Sequence, residues 1–193
     1  MQVDEYGRAE EHRLLWKGPA TVGQLGELMA QWLDGTITYQ PGYGAPGPDP
    51  ETSELVEVLA AVNRAGVLTT FSQPGEPLVD GHAQRASLDG FCTEHTADLL
   101  RRATLHTDLV TLIFPPGSQE GGQVVVTVDD GQEFTWLGSP ADLGHLYDIY
   151  GDDLSEAAIE ALGDAWQLHI VDPVWGRNDL LWDQLRRFTG AAG

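Results

Sequence analysis

Residues 51–91 constrain the fold more than any other part of the chain. They read ETSELVEVLAAVNRAGVLTTFSQPGEPLVDGHAQRASLDGF. Leu55, Val58, Leu59 and Val62 recur at helical spacing, which predicts a helix over about residues 53–65 with one buried face. Thr52 or Ser53 supplies the capping hydroxyl, and Glu54 sits where a helix N-terminus is positive. Gly66 follows the last turn, where a left-handed residue ends a helix. Residues 67–71 are apolar and β-branched and read as a strand, closed by the turn chemistry of Ser72-Gln73-Pro74-Gly75. A helix entrance carrying Glu51 and Thr52 is thus joined, through one helix, to a segment carrying Thr69, Thr70 and Ser72. These hydroxyls and this carboxylate serve either as caps and turn formers or as a polar cluster facing a ligand.

The flanking segments extend the pattern. Residues 1–12 read as a flexible polar N-terminus, and Leu14, Leu15 and Trp16 as a first apolar anchor. Thr21 caps a helix whose stripe of Val22, Leu25, Leu28, Met29, Trp32 and Leu33 is core, and Gly35 stops it. Residues 36–50, TITYQPGYGAPGPDP, form an irregular loop in which Tyr39 and Tyr43 are available to stack on a base. Residues 74–81 read as a loop and 82–91 as one strand, with Gly90 at a bulge or bend. Thr93 caps a helix over residues 94–105, with Leu99, Leu100 and Ala103 inward. Residues 109–114 read as a buried strand. Residues 124–128 and 133–137 form a hairpin across Asp129-Asp130-Gly131. Ser139-Pro140 opens a helix to Tyr150; residues 155–162 form another, and 166–171 a strand. Asn178 or Asp179 caps the last helix, with Leu181, Trp182, Leu185 and Phe188 inward. Helices and strands mix without strict alternation. The predicted class is therefore α/β (α+β), one domain over residues 13–190 with a mixed sheet of five to six strands packed by helices.

Composition excludes several functions. The net charge is -20 across 193 residues, which opposes nucleic-acid backbones and anionic membranes alike. No apolar run reaches the length of a membrane span, and the N-terminus lacks a signal-peptide layout, so a cytoplasmic address is expected. Cys92 is the single cysteine, leaving no intrachain disulfide and no thiolate cage. The six histidines are scattered, so no metal is expected; His169, within an apolar strand, reads as an interior or edge histidine with its bonds satisfied.

AVNRAGVLTTFSQPG followed by QRASLDGF resembles the C-terminal regulatory domain of eukaryotic methylenetetrahydrofolate reductase. There a helix ends in an asparagine-arginine-x-glycine turn, enters a strand and runs into Ser-Gln-Pro. A threonine-tryptophan pair at Thr135-Trp136 and the ending from the 166–171 strand into Asn178-Asp179-Leu180-Leu181-Trp182 extend the likeness over most of residues 50–188. The resemblance implies a ligand, S-adenosylmethionine or S-adenosylhomocysteine. It implies contacts from Glu51, Thr52 and Thr135, and loosely from Trp16; Thr69 and Ser72 join them from the polar cluster read in the residues themselves. The reductase's catalytic barrel and regulatory linker have no counterpart, so neither flavin nor folate reduction is implied.

The chemistry of such a ligand suits these residues. Glu51 accepts from ribose hydroxyls or an ammonium, and Thr52, Thr69, Ser72 and Thr135 donate or accept. Gln73 offers an amide, and Arg85 a partner for the carboxylate. The expected function is an adenosyl-binding module, a sensor or regulatory subunit with a possible protein partner. Two alternatives stand beside it: a small lyase or transferase using S-adenosylmethionine as substrate, and an acidic protein-interaction domain that has lost the ligand.

Overall fold

The structure is a computed structural model and describes residues 3–190. Among the described residues it contains seven α-helices and eight strands. The strands form two four-stranded sheets in which every neighbouring pair is antiparallel. The mixture of helices and strands is as expected; the single mixed sheet is replaced by two antiparallel ones.

The first sheet holds β1 (Val67–Gln73), β4 (Ser87–Cys92), β8 (Trp166–Val171) and β5 (Val110–Phe114), in the order β1-β4-β8-β5. The second holds β2 (Glu76–Val79), β3 (His82–Gln84), β6 (Val124–Asp129) and β7 (Gln132–Leu137), in that order. Residues 82–91 are therefore two strands. The chain leaves one sheet at Gln84 and enters the other at Ser87, because Ala86 and Ser87 are fully buried between them. Two hairpins share one turn chemistry. Asp80-Gly81 and Asp130-Gly131 both take positive φ, 51° and 85° in the first, 47° and 72° in the second, as a two-residue hairpin turn requires. The first lies inside a segment expected to be loop.

The helices cover the first sheet. They are α1 (Glu10–Leu15), α2 (Val22–Leu33), α3 (Val56–Arg64), α4 (Glu94–Thr104), α5 (Leu143–Tyr150), α6 (Glu156–Gly163) and α7 (Leu180–Thr189). Helix α3 packs between α2 and α7. A Cβ at Gly26 would stand 2.7 Å from the Asn63 carbonyl oxygen, so glycine is what lets α2 and α3 approach. Leu25, Leu59, Leu88, Leu100, Leu168, Ile170 and Trp182 form the centre of the main core. A smaller cluster of Val126, Leu137 and Val171 joins the two sheets. No helix among the described residues is long and apolar enough to cross a membrane.

Local signals held where partners are close in sequence. Thr21, Thr93 and Ser155 each accept from the amide three residues on, capping α2, α4 and α6. Other expectations fail. Leu99 is exposed because the buried positions of α4 are Ala97, Leu100 and Thr104. The helix expected from Ser139 begins at Leu143, capped by Asp142. Leu14 and Leu15 are largely exposed, and Trp16 alone anchors that segment. Strand β5 is half-buried along its length, since it is an edge strand. Residues 3–12 fold back on the domain: Ala9 is fully buried, Arg8 Nη1 donates to the Tyr43 carbonyl at 2.7 Å, and Thr38 N–H donates to His12 Nδ1 at 3.0 Å.

Candidate ligand-binding site

Strand β1 is the last strand of its sheet, and its free edge borders a hollow of about 260 Å³. The floor is Thr69, Thr70, Phe71, Ser72 and Gln73. A regular strand shows one face only through alternate residues; here the cavity runs along an edge, and the register slips between Thr69 and Phe71, opposite Gly90. Such a bulge re-aims side chains. A Cβ on Gly90 would collide with the Leu68 carbonyl, so the predicted bend at Gly90 is the glycine side of this bulge. Met29, Trp32 and Leu33, from the last turns of α2, form one wall. Gln40, Tyr43, Pro48 and Asp49, from the loop, and Glu51 and Thr52 form the other.

Glu51 and Thr52 belong to a 3-10 turn, Pro50–Leu55, which also takes the first residues of the helix predicted from about residue 53, and the α-helix itself begins at Val56. Pro50 begins that turn with its fixed φ, and the Thr52 N–H donates to the Asp49 carbonyl at 2.9 Å. No side chain caps the turn. The Thr52 hydroxyl is therefore not a cap; Thr52 is buried at 8% exposure and lines the hollow. Strand β1 likewise continues through Ser72 and Gln73, where a turn was expected.

Asn63, fully buried at the end of α3, orients Thr69. Its Nδ2 donates to the Leu59 carbonyl at 2.9 Å and to Thr69 Oγ1 at 2.8 Å, while Thr69 N–H donates to Asn63 Oδ1 at 3.0 Å. The Thr69 oxygen is thus held as an acceptor from below, which directs its own O–H elsewhere.

Four predicted site residues share this hollow as free or oriented groups: Glu51, Thr52, Thr69 and Ser72. Gln73 borders it, yet its amide is committed. Its Nε2 donates to the Arg85 and Val126 carbonyls at 3.0 and 2.8 Å, and its Oε1 accepts from Thr127 Oγ1 at 3.0 Å. Gln73 ties the two sheets together. Arg85 is absent from the lining. Its guanidinium lies 4.2 Å over the Trp175 ring and donates to the Val125 carbonyl at 2.8 Å, and burial lowers its pKa. Thr135 is on β7, one strand beyond Thr127, and does not reach the hollow. Trp16 is buried at 1% exposure and donates its indole N–H to the Tyr39 carbonyl at 2.9 Å. Tyr39 is turned inward too, its hydroxyl donating to Asp153 at 2.9 Å. Of the two loop tyrosines only Tyr43 faces the hollow.

Sequence reasoning missed Trp32, Gln40 and Asp49 as lining residues, while Thr70, read in the polar cluster, also lines the hollow. Trp32 reads as core by its spacing and is 5% exposed. Its indole nitrogen and the Gln40 Oε1 are buried without a partner; a polar handle on an otherwise apolar stripe is the signal that marks such a tryptophan. Burial, with Asp49 and Glu51 beside it, pushes the Tyr43 phenol up to about 12.

A polar line leads inward from the hollow. Thr70 Oγ1 donates to Asp89 Oδ1 at 3.2 Å, and Asp89 Oδ2 lies 3.2 Å from His169 Nδ1. That second approach does not make a hydrogen bond, and both ring nitrogens of His169 are without a hydrogen-bond partner. The expected satisfied histidine is instead a fully buried one leaning on a carboxylate, with the Phe114 ring edge-on at 5.5 Å. The order hydroxyl, carboxylate, imidazole is not that of nucleophilic catalysis, where the imidazole itself takes the hydroxyl proton.

A family model described as a domain of unknown function, DUF6919, matches residues 11–191. The chain belongs to that family. Comparison with curated proteins finds no match. The DUF6919 match spans every residue that lines the hollow, from Met29 to Gln73, together with both sheets.

Proposed function

We propose that this DUF6919 domain is a non-catalytic binding module for S-adenosylmethionine or S-adenosylhomocysteine, serving as a cytoplasmic sensor or regulatory subunit to a protein partner. The observation that carries the reading is that Glu51 and Thr69, separated by a whole helix in sequence, line one hollow with Thr52 and Ser72. Glu51 and Thr52 are positions that the resemblance to the reductase regulatory domain assigns to the ligand, and Thr69 and Ser72 belong to the polar cluster read from the residues. Glu51 accepts from ribose hydroxyls or an ammonium, and the three hydroxyls donate or accept. Trp32, Tyr43 and Phe71 offer aromatic surface to a base. At about 260 Å³ the hollow is slightly below the ~300–1,000 Å³ usual for ligand clefts. Neither Arg85 nor Thr135 takes part.

Isothermal titration calorimetry of the full chain with each compound tests the reading. Micromolar binding is expected, about -8 kcal/mol, and weakened in Glu51→Ala and Thr69→Ala. Absence of heat with both compounds at millimolar concentration overturns it. Prolonged incubation with S-adenosylmethionine followed by mass spectrometry separates binding from turnover; products beyond the buffer control favour an enzyme.

A further inference from the structure

The same hollow has a charge preference. Trp32 and Tyr43 meet edge to face, with centroids 5.4 Å apart and planes at 80°, and both line the hollow. Asp49 and Glu51 line the same space, and no lysine, arginine or histidine among the described residues does. Trp32 is only 5% exposed, so its ring is shielded from bulk water. Aromatic faces attract onium centres, and desolvation strengthens that attraction. Carboxylates add to it and repel phosphate.

We propose that Trp32, Tyr43, Asp49 and Glu51 form a subsite for an onium cation, a sulfonium or quaternary ammonium centre. The proposal rests on the adenosyl reading for the identity of the physiological ligand but not for its charge. Applied to that reading, it separates the two adenosyl compounds. S-adenosylmethionine carries the sulfonium and is selected; S-adenosylhomocysteine is a neutral thioether at the same atom and is held less tightly. Phosphorylated nucleotides are excluded.

The test follows the Trp32 indole N–H of the full chain by nitrogen-proton NMR, the signal being assigned with Trp32→Phe. S-adenosylmethionine, S-adenosylhomocysteine and tetramethylammonium chloride are titrated separately at matched ionic strength. S-adenosylmethionine is expected to bind about tenfold or more tightly than S-adenosylhomocysteine, and tetramethylammonium to move the Trp32 signal alone. The ratio falls to about threefold or less in the Asp49→Asn, Glu51→Gln double variant. Tyr43→Phe keeps it and Tyr43→Leu lowers it, with circular dichroism confirming that each variant is folded. Equal affinity for both adenosyl compounds, or preference for the thioether, overturns the cation subsite and leaves the adenosyl reading standing. A response to tetramethylammonium without either adenosyl compound does the reverse. No response to any of the three overturns both.

Discussion

Asn63 and Thr69 exchange two hydrogen bonds, side chain to side chain at 2.8 Å and backbone N–H to side chain at 3.0 Å. The pair ties the end of α3 to the free edge of β1 and fixes one hydroxyl of the candidate site. A helix C-terminus, a sheet edge and a cavity wall therefore depend on one amide. Asn63→Leu leaves the Thr69 N–H without its acceptor and the Leu59 carbonyl without its side-chain donor. A cost of about 1–3 kcal/mol is expected, read from urea unfolding midpoints at constant slope. Asn63→Asp keeps the acceptor for Thr69 N–H and loses both donors. If Asn63→Asp proves as stable as the parent, the Nδ2 bonds contribute little.

Thr69→Val isolates the hydroxyl. The shape is kept and Asn63 Nδ2 retains its bond to Leu59. Stability should fall by no more than about 1 kcal/mol, while adenosyl affinity falls roughly two- to tenfold, the worth of one neutral hydrogen bond. Calorimetry on both proteins checks this. Unchanged affinity would remove Thr69 from the ligand's contacts.

Gln73 makes the opposite prediction. Its amide joins β1 to Arg85, Val126 and Thr127, so Gln73→Leu strands buried polar groups and should cost about 1–3 kcal/mol. Affinity measured well below the melting temperature should stay within about twofold of the parent. A large affinity loss in a stably folded Gln73→Leu protein would return Gln73 to the list of ligand contacts.

Cys92 gives a pH dependence. Burial pushes its thiol up to about 12 from the ordinary 9.0. Below pH 9 the thiol is protonated folded or unfolded, and its contribution to stability is fully present. As pH rises past 9 the unfolded chain ionises first, and stability is lost progressively toward 12. Tyr43 and Tyr150, both pushed up to about 12, act in the same direction above pH 10. The melting temperature should fall between pH 9 and 11, less steeply in Cys92→Ala. The native thiol should also resist alkylation at pH 8. Rapid labelling of the folded protein would contradict the burial.

The residues alone determined the elements whose partners lie within a few positions. The caps at Thr21, Thr93 and Ser155, the strand over Trp166–Val171 and the Asp130-Gly131 hairpin all depend on neighbouring amides or on backbone preference. Half of the candidate site was legible for the same reason: Glu51, Thr52, Thr69 and Ser72 flank one helix-to-strand unit, whose folding brings its two ends together. Tertiary structure decided the rest. Gln73 spends its amide on carbonyls and a hydroxyl up to 54 residues away. Arg85 turns to Trp175, and Trp16 finds the Tyr39 carbonyl. Trp32 looks like core until the loop carrying Tyr43 closes over it. A side chain's type limits what it can bond, but buried polar groups must be paired wherever a partner lies. That partner is chosen by the packing of two sheets and the helices around them, which no local spacing encodes.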